Sequence, residues 1–457
     1  MSELSKTVCA IATPPAVGGI SVIRISGDDA VKVAAAVFKP ASGRPIDEMR
    51  GYTAAYGRIF DGEERIDDGV ILVFKSPHSY TGEDVCEISC HGGIYVTRRL
   101  LTACLKAGAS PAGAGEFTKR ALLNGKMSLT QAEAVADIIN AQGEQSLACS
   151  NVQREGALYR RTEKIANKIL DVSAQISAWI DYPDDRTPEV TESWLEDRLS
   201  NIKADFDELL SGYDKGRIIR EGISCVIVGK PNVGKSTIMN TLAGSRRSIV
   251  SDVEGTTRDV VEETINIGGA VMVISDGAGI RETDDEVEKI GVELIIERLK
   301  NTDAVLAVFD GSAELSDEDR RLFGLLERKL VIPIVNKSDL QLRLDIAEIE
   351  RRFGKPVSIS AKDELSAEVL SREISNRMEL DKLDANAGFL ANERQRACVI
   401  RAAQSLDNAL SAVRTGLTPD AVGVDLEQAL DAVYELSGRK ASDEVIAGVF
   451  ERFCVGK

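Results

Sequence analysis

The chemistry of this chain concentrates in Gly229-Lys230-Pro231-Asn232-Val233-Gly234-Lys235-Ser236-Thr237. Two glycines let a backbone curl until its N–H groups converge on an anion. A helix starting at the end of such a loop adds the positive end of its dipole. Lys235 is placed to reach the β- and γ-phosphates of a nucleotide, and the Ser236 hydroxyl to ligate Mg²⁺. Gly229, Asn232, Val233, Gly234, Lys235, Ser236 and Thr237 are therefore candidate nucleotide ligands.

Further stretches decide which nucleotide fits. Asn336-Lys337-Ser338-Asp339 offers a carboxylate, Asp339, to the adjacent N–H donors of guanine, with Asn336 supporting the base. Adenine lacks that donor pair and would leave the acceptor unpaired, at a cost of about 1–3 kcal/mol. Ser360-Ala361-Lys362 matches the loop that backs the base in small GTPases. Asp276-Gly277-Ala278-Gly279 offers a carboxylate to hold Mg²⁺ through water and, at Gly279, an N–H for the γ-phosphate. Gly255-Thr256-Thr257-Arg258-Asp259 lies where a first switch belongs, with Thr257 as a second Mg²⁺ hydroxyl. Ile280 stands where Ras-type enzymes carry a water-orienting Gln. Glu282, Glu286 and Glu288 follow closely, and the residues alone do not choose among them.

These loops need a sheet to carry them. Residues 223–228 are apolar and β-branched and read as a buried strand ahead of the glycine loop; 237–243 continue as a helix. Residues 271–275, 330–335 and 357–359 read as strands ahead of the other loops. This α/β pattern runs over 217–380. Before and after it the texture is helical, with apolar stripes at Leu158, Ile165, Ile169, Leu170 and Val172 and at Leu195, Leu199, Ile202, Phe206 and Leu209. Further helices are expected over 391–413, 426–436 and 443–453. Helices on both sides imply that the nucleotide domain is inserted into a helical domain, formed by 123–216 and 381–457. Residues 1–122 form a separate α/β domain, with strands expected over 20–25, 69–74 and 84–91 and helices over 30–38 and 94–106. Alternation puts Cys86, Ile88 and Cys90 on one face and His91 on the other, which favours packing over a metal site.

The chain has 457 residues, enough for roughly three domains of ~150 residues. Its net charge is −17, while the first 120 residues are balanced, so the acidity lies beyond them. Such a chain repels phosphate backbones at long range, and a bound nucleic acid would need a partner or a local patch. Eight cysteines without framework spacing suit a reducing cytoplasm. The first residues have no basic segment followed by an apolar one, and no run approaches about 18 apolar residues, so neither a signal peptide nor a membrane span is expected.

Several motifs then coincide: Thr13-Pro14-Pro15 with Gly18-Gly19; Arg24-Ile25-Ser26-Gly27; Thr81-Gly82-Glu83-Asp84; Cys90-His91-Gly92-Gly93; Gly115-Glu116-Phe117-Thr118-Lys119-Arg120-Ala121; Leu123-Asn124-Gly125-Lys126; and the terminal Phe453-Cys454-Val455-Gly456-Lys457. In these, and over essentially its whole length, the chain resembles the tRNA-modifying GTPase family MnmE, also called TrmE. It departs from the family's pattern at Gly277, where the family usually has Thr, and at Ala114, where it often has Pro.

The resemblance implies an N-terminal folate-binding-like α/β domain, a helical domain and an inserted Ras-like P-loop G domain. It implies a homodimer joined through the N-terminal domains, a FAD-dependent partner of the MnmG (GidA) type, and modification of C5 of the wobble uridine of certain tRNAs. The cofactors it implies are GTP, Mg²⁺, K⁺ and a 5-formyl- or methylene-tetrahydrofolate. By position, Asn232 resembles the K⁺ ligand, with loop oxygens of Ser251, Val253 and Thr256 completing the cage, and Glu288 resembles the water-orienting glutamate. Arg24, Glu87, Lys126 and Lys457 match the folate-contacting positions, and Cys454 lies in the same tail. The G motifs alone equally fit a GTP-driven RNA or ribosome assembly switch, which would be expected to carry its own RNA-binding module or a basic tail.

Overall fold

The computed structural model describes residues 6–182, 189–246, 262–276, 298–300, 302–363, 365–380, 388–451 and 453–457. The chain divides into two compact units. One comprises residues 1–136, 153–206 and 397–457; the other comprises 137–152 and 207–396.

In the first unit seven strands form one sheet: β1 Val8–Ile11, β2 Ile20–Ser26, β3 Phe38–Pro40, β4 Thr53–Asp61, β5 Glu64–Phe74, β6 Val85–His91 and β7 Ser110–Pro111. Their order is β3-β4-β5-β6-β2-β1-β7, antiparallel except for the β1–β7 pair. The period of two directs Ile23, Ile25, Ile59, Ile71, Val73, Cys86 and Ile88 into one core. There they meet Val33 and Val37 of helix Ala30–Val37 and Leu100 and Cys104 of helix Ile94–Lys106. Cys86 and Cys90 are buried in that core, while His91 is exposed and hydrogen-bonds Asp67 (2.9 Å). Burial pushes the Cys86 thiol up to about 12.

In helix Ala157–Asp181 the buried residues Leu158, Thr162, Ile165, Ile169, Val172 and Ile176 recur at alternating steps of four and three, and this helix packs on Pro419–Ser437. Leu170, which the sequence placed in the same stripe, falls off that spacing and is 40% exposed.

The second unit carries a six-stranded sheet: β8 Ile223–Val228, β9 Glu262–Ile267, β10 Ala270–Asp276, β11 Ala304–Asp310, β12 Val331–Asn336 and β13 Val357–Ser358. The order is β13-β12-β11-β8-β10-β9, and only β9 runs antiparallel to its neighbour. Both faces are covered, so these strands are apolar on both sides. Ile223, Cys225 and Ile227 face Ile238 and Leu242 of helix Lys235–Arg246 and Leu370 and Ile374 of helix Ser366–Arg377. Val226 and Val228 face Phe323 and Leu326 of helix Asp317–Leu326 and Ile349 of helix Ile346–Phe353. The chain leaves β8 between β10 and β11, where the strand order reverses; ligands of open α/β sheets bind at such a point.

Candidate functional site

The glycine loop leaves the carboxyl end of β8 and enters helix Lys235–Arg246. Gly229 has φ +150°, and a Cβ there would sit 2.4 Å from the Val308 carbonyl; Gly234 has φ +99°, and a Cβ there would sit 2.2 Å from Asn336 Nδ2. Neither position admits another residue without displacing the loop. Asn232 takes φ +62°, in the left-handed region. Lys235 is buried, and its ammonium donates to the carbonyls of Gly229 (2.7 Å) and Lys230 (2.9 Å) across the loop. Val233 is buried, whereas Asn232, Ser236 and Thr237 are exposed at the mouth of the loop and the start of the helix.

Asn336 ends β12 and is 3% exposed. Its Nδ2 donates to Val233 O (2.8 Å), and its Oδ1 accepts from Ala361 N (2.9 Å). One side chain thus joins the glycine loop to the Ser360-Ala361-Lys362 loop. Ser366 Oγ donates to Ser360 O (2.7 Å) and braces the second loop, while the Thr241 hydroxyl shares its proton between Thr237 O (2.8 Å) and Ala361 O (3.2 Å). Lys337, at φ +63°, sends its ammonium to Asp310 Oδ2 (2.6 Å) at the end of β11. Burial pushes the Asp310 carboxyl up, but hydrogen bonds from Lys337 and Ser312 outweigh it and hold the pKa below the ordinary carboxylate value. Asp339 and Lys362 are exposed on the two neighbouring loops. The arrangement can present converging N–H groups and one ammonium to an anion, with a carboxylate on the adjoining loop for a base. Ser251, Val253, Thr256, Thr257, Gly279, Ile280, Glu282, Glu286 and Glu288 lie outside the described residues, and Asp276 is described only as the end of β10.

A second cluster forms in the first unit. Arg24 on β2 stands opposite Glu87 on β6, and its Nε donates to Glu87 Oε1 (2.8 Å). Arg24 Nη1 donates to Gly456 O (3.1 Å), and its guanidinium lies over the rings of Tyr80 and Phe117. The C-terminal tail is therefore fixed on the N-terminal sheet. Phe117 N donates to Lys457 O (3.1 Å), Val455 bridges Ala114, and Gly456 has φ +102° with no room for a Cβ against Ile11 O. Lys457 thus contributes through its main chain. Lys126 donates to Pro77 O (2.9 Å) and makes no bond to Arg24 or Glu87 among the described residues. Cys454 is exposed.

Other motif residues turn out to be internal. Arg120 is 1% exposed and binds Glu83 (3.1 Å), Glu116 (3.0 Å) and Lys6 O (2.9 Å), while Ser26 Oγ donates to Glu83 (2.7 Å). Sequence reasoning missed Asp310, Tyr80 and the Lys230–Asp319 ion pair. Ser316-x-x-Asp319 was readable as a capping box; the ion pair was not. Among the described residues no three His, Cys, Asp or Glu side chains cluster as a metal site, and no helix is long and apolar enough to cross a membrane.

A parallel sheet with a glycine loop leaving its switch-point strand, and an Asn-Lys-Ser-Asp loop two strands away, defines a P-loop GTP-binding domain. The family model for the MnmE helical domain matches residues 129–454, and that for the GTP-binding protein TrmE N-terminus matches 7–126. The tRNA modification GTPase MnmE of Clostridioides difficile is 38% identical over 457 residues, 99% of this chain and 100% of that protein. The MnmE of Thermoanaerobacter pseudethanolicus is 38% identical over 456 residues, 99% of each chain. A solved structure of Aquifex aeolicus Era bound to GDP and aluminium fluoride is 27% identical, covers 40% of this chain and 66% of that one, and has a TM-score of 0.28. The chain belongs to the MnmE (TrmE) family of tRNA modification GTPases.

Proposed function

We propose that this chain is the GTP-hydrolysing subunit of a cytoplasmic complex that adds a carboxymethylaminomethyl-type group to C5 of the wobble uridine of certain tRNAs. It works as a homodimer with a FAD-dependent partner of the MnmG type. Its parts are a folate and dimerisation domain (1–122), a helical domain (123–216 and 381–457) and the inserted G domain (217–380). In the G domain, Gly229, Asn232, Val233, Gly234, Lys235, Ser236 and Thr237 hold the phosphates, Asp339 reads guanine, and Ser236 and Thr257 ligate Mg²⁺ with Asp276 behind a water. Ser236 suits that ion because it presents a hydroxyl oxygen at the helix start. Asn232, with oxygens of Ser251, Val253 and Thr256, provides the oxygen-only donor set that K⁺ requires, and Glu288 orients the attacking water.

The observation that carries the modification reading is the group made by Arg24, Glu87 and the C-terminal tail. Glu87 suits the adjacent N–H donors of a pterin. Arg24, Lys126 and Lys457 suit a polyanionic glutamate tail.

The test is calorimetric titration of 5-formyl-tetrahydrofolate into the intact chain and into Arg24→Ala, with GTP hydrolysis measured in parallel. Binding that weakens at least tenfold in the variant, with hydrolysis unchanged, supports the reading; one lost charge-assisted contact is enough for about that effect. No binding by the unsubstituted folded chain overturns it. Hydrolysis in KCl against NaCl at matched ionic strength, with Asn232→Ala as the control, tests the K⁺ site separately.

A further inference from the structure

We infer that Lys230 and Asp319 form a clamp that holds the phosphate loop in its receiving shape, which makes both of them positioning residues for nucleotide retention. The inference rests on reading residues 229–237 as the phosphate loop. Lys230 is its second residue, and its side chain reaches the start of helix Asp317–Leu326. The ammonium lies 2.6 Å from Asp319 Oδ2 and donates to Ser316 Oγ at 3.0 Å. Asp319 is 2% exposed, and the same Oδ2 accepts from Ser316 N and Ser316 Oγ, both at 2.9 Å. Its other oxygen, Oδ1, is buried with no hydrogen-bond partner among the described residues. Among the described residues Lys230 is the cation paired with this buried carboxylate. A charge in that position is held only if its partner stays in place.

The carboxylate sits on a capped and packed helix. Asp319 and Ser316 close the capping box of helix Asp317–Leu326, and Phe323 and Leu326 of that helix pack with Val226 and Val228 of β8. The clamp thus ties the loop back to the same strand that launches it. Its use follows from Lys235, whose ammonium bonds the Gly229 and Lys230 carbonyls. A lysine that turns to phosphates gives up those carbonyls and stops bracing the loop from within. The Lys230 side chain braces the same residue from outside, whether or not Lys235 is engaged, so the N–H groups stay pointed at the phosphates.

The experiment is stopped-flow release of a fluorescent GDP from the full chain and from Lys230→Met, Asp319→Asn, their double variant and Lys230→Arg, with Tm measured for each. Asp319→Asn keeps the oxygen that accepts from Ser316, removes the charge and sets an amide NH₂ where the unpartnered Oδ1 stands. The double variant leaves no buried unpaired charge, so its fold is spared. We expect either single variant to release GDP about tenfold faster, the scale of one charge-assisted hydrogen bond. The double variant should be no faster than the faster single, because both remove one shared interaction. Lys230→Arg, which keeps the pair, should release GDP at the parent rate. Release at the parent rate in Asp319→Asn, with or without a fall in Tm, overturns the clamp and leaves the pair a role in stability alone. Additive acceleration in the double variant overturns it as well. Failure of the unsubstituted chain to bind GDP would instead sink the reading of the loop itself.

Discussion

Asn336 offers the sharpest test of how this site is assembled. It is almost fully buried and makes two hydrogen bonds, one to each of two loops that are distant in sequence. Asn336→Ala removes both and strands Val233 O and Ala361 N. Each stranded buried group costs about 1–3 kcal/mol, so with partial relaxation the loss is ~3 kcal/mol, or roughly a hundredfold in an equilibrium constant. Asn336→Asp is more discriminating. It keeps the size and one acceptor for Ala361 N, but turns the Nδ2 donor into an oxygen facing Val233 O across 2.8 Å. Two acceptors at that distance repel, so the aspartate should be at least as damaging as the alanine. A multidomain chain need not unfold in one step, which makes a single Tm a poor readout. The assay is GDP affinity by equilibrium titration, joined to hydrogen exchange at the Ala361 amide. Both variants should weaken GDP about a hundredfold. The Ala361 amide should exchange faster in the alanine variant than in the aspartate variant, which keeps its acceptor. Parent affinity in Asn336→Asp would refute the argument that this side chain sets the loop.

Three further outcomes are expected. Gly456→Ala places a methyl group 2.3 Å from Ile11 O at a positive φ, so the tail should lift and the Phe117 amide, bonded to Lys457 O, should lose exchange protection; unaltered protection would mean the tail is held elsewhere. Thiol labelling of the folded chain should find one fast cysteine, abolished by Cys454→Ser, because the other seven are buried; burial pushes Cys9 and Cys149 each up to about 11 and Cys86 and Cys225 each up to about 12. The hydrogen bond from Asp67, with its charge, raises the His91 pKa above 6.5. The pair's contribution to stability is therefore complete below pH 6.5 and lost as pH rises through the higher folded value. NMR titration should place the imidazole above its ordinary range, and Asp67→Asn should bring it down.

What could be read from the sequence was whatever chemistry writes locally. Phosphate-loop glycines must occur together because one short turn needs them, and Asn336 to Asp339 must follow a strand because a base is read at a strand end. Period two puts Cys86, Ile88 and Cys90 on one face, and that face is the buried one. Strand β4 was not legible. It carries Gly57 and an exposed Tyr56, so its apolar alternation is weak, and it is held by pairing with β5 and β3 rather than by its own composition. The Leu170 misreading has the same origin: a stripe drawn from composition ignores the alternating steps of four and three.

Charge placement was the least legible feature, because a buried ion is tolerated only when a partner arrives from elsewhere. Arg120 looks like a surface arginine on a polar helix until Glu83 and Lys6 O close over it. Lys230 looks like an interchangeable loop residue until Asp319 is found beneath it. Arg24 meets the Gly456 carbonyl across 432 residues of chain. These contacts share a consequence. The residues that the motifs single out are not all ligands: Glu83, Glu116 and Arg120 hold the N-terminal domain together, while Arg24 and Glu87 stay partly exposed, at 18% and 21% of their side-chain surface. A paired arginine and carboxylate that remain open to solvent can exchange their bond to each other for bonds to a ligand. A paired arginine at 1% exposure cannot. On that difference, Arg24→Ala should act on binding, whereas Arg120→Ala should act on folding, stranding Glu83 and Glu116 at a cost of about 3–5 kcal/mol. A soluble Arg120→Ala chain with the parent's hydrogen-exchange protection across β1, β2 and β6 would break the distinction.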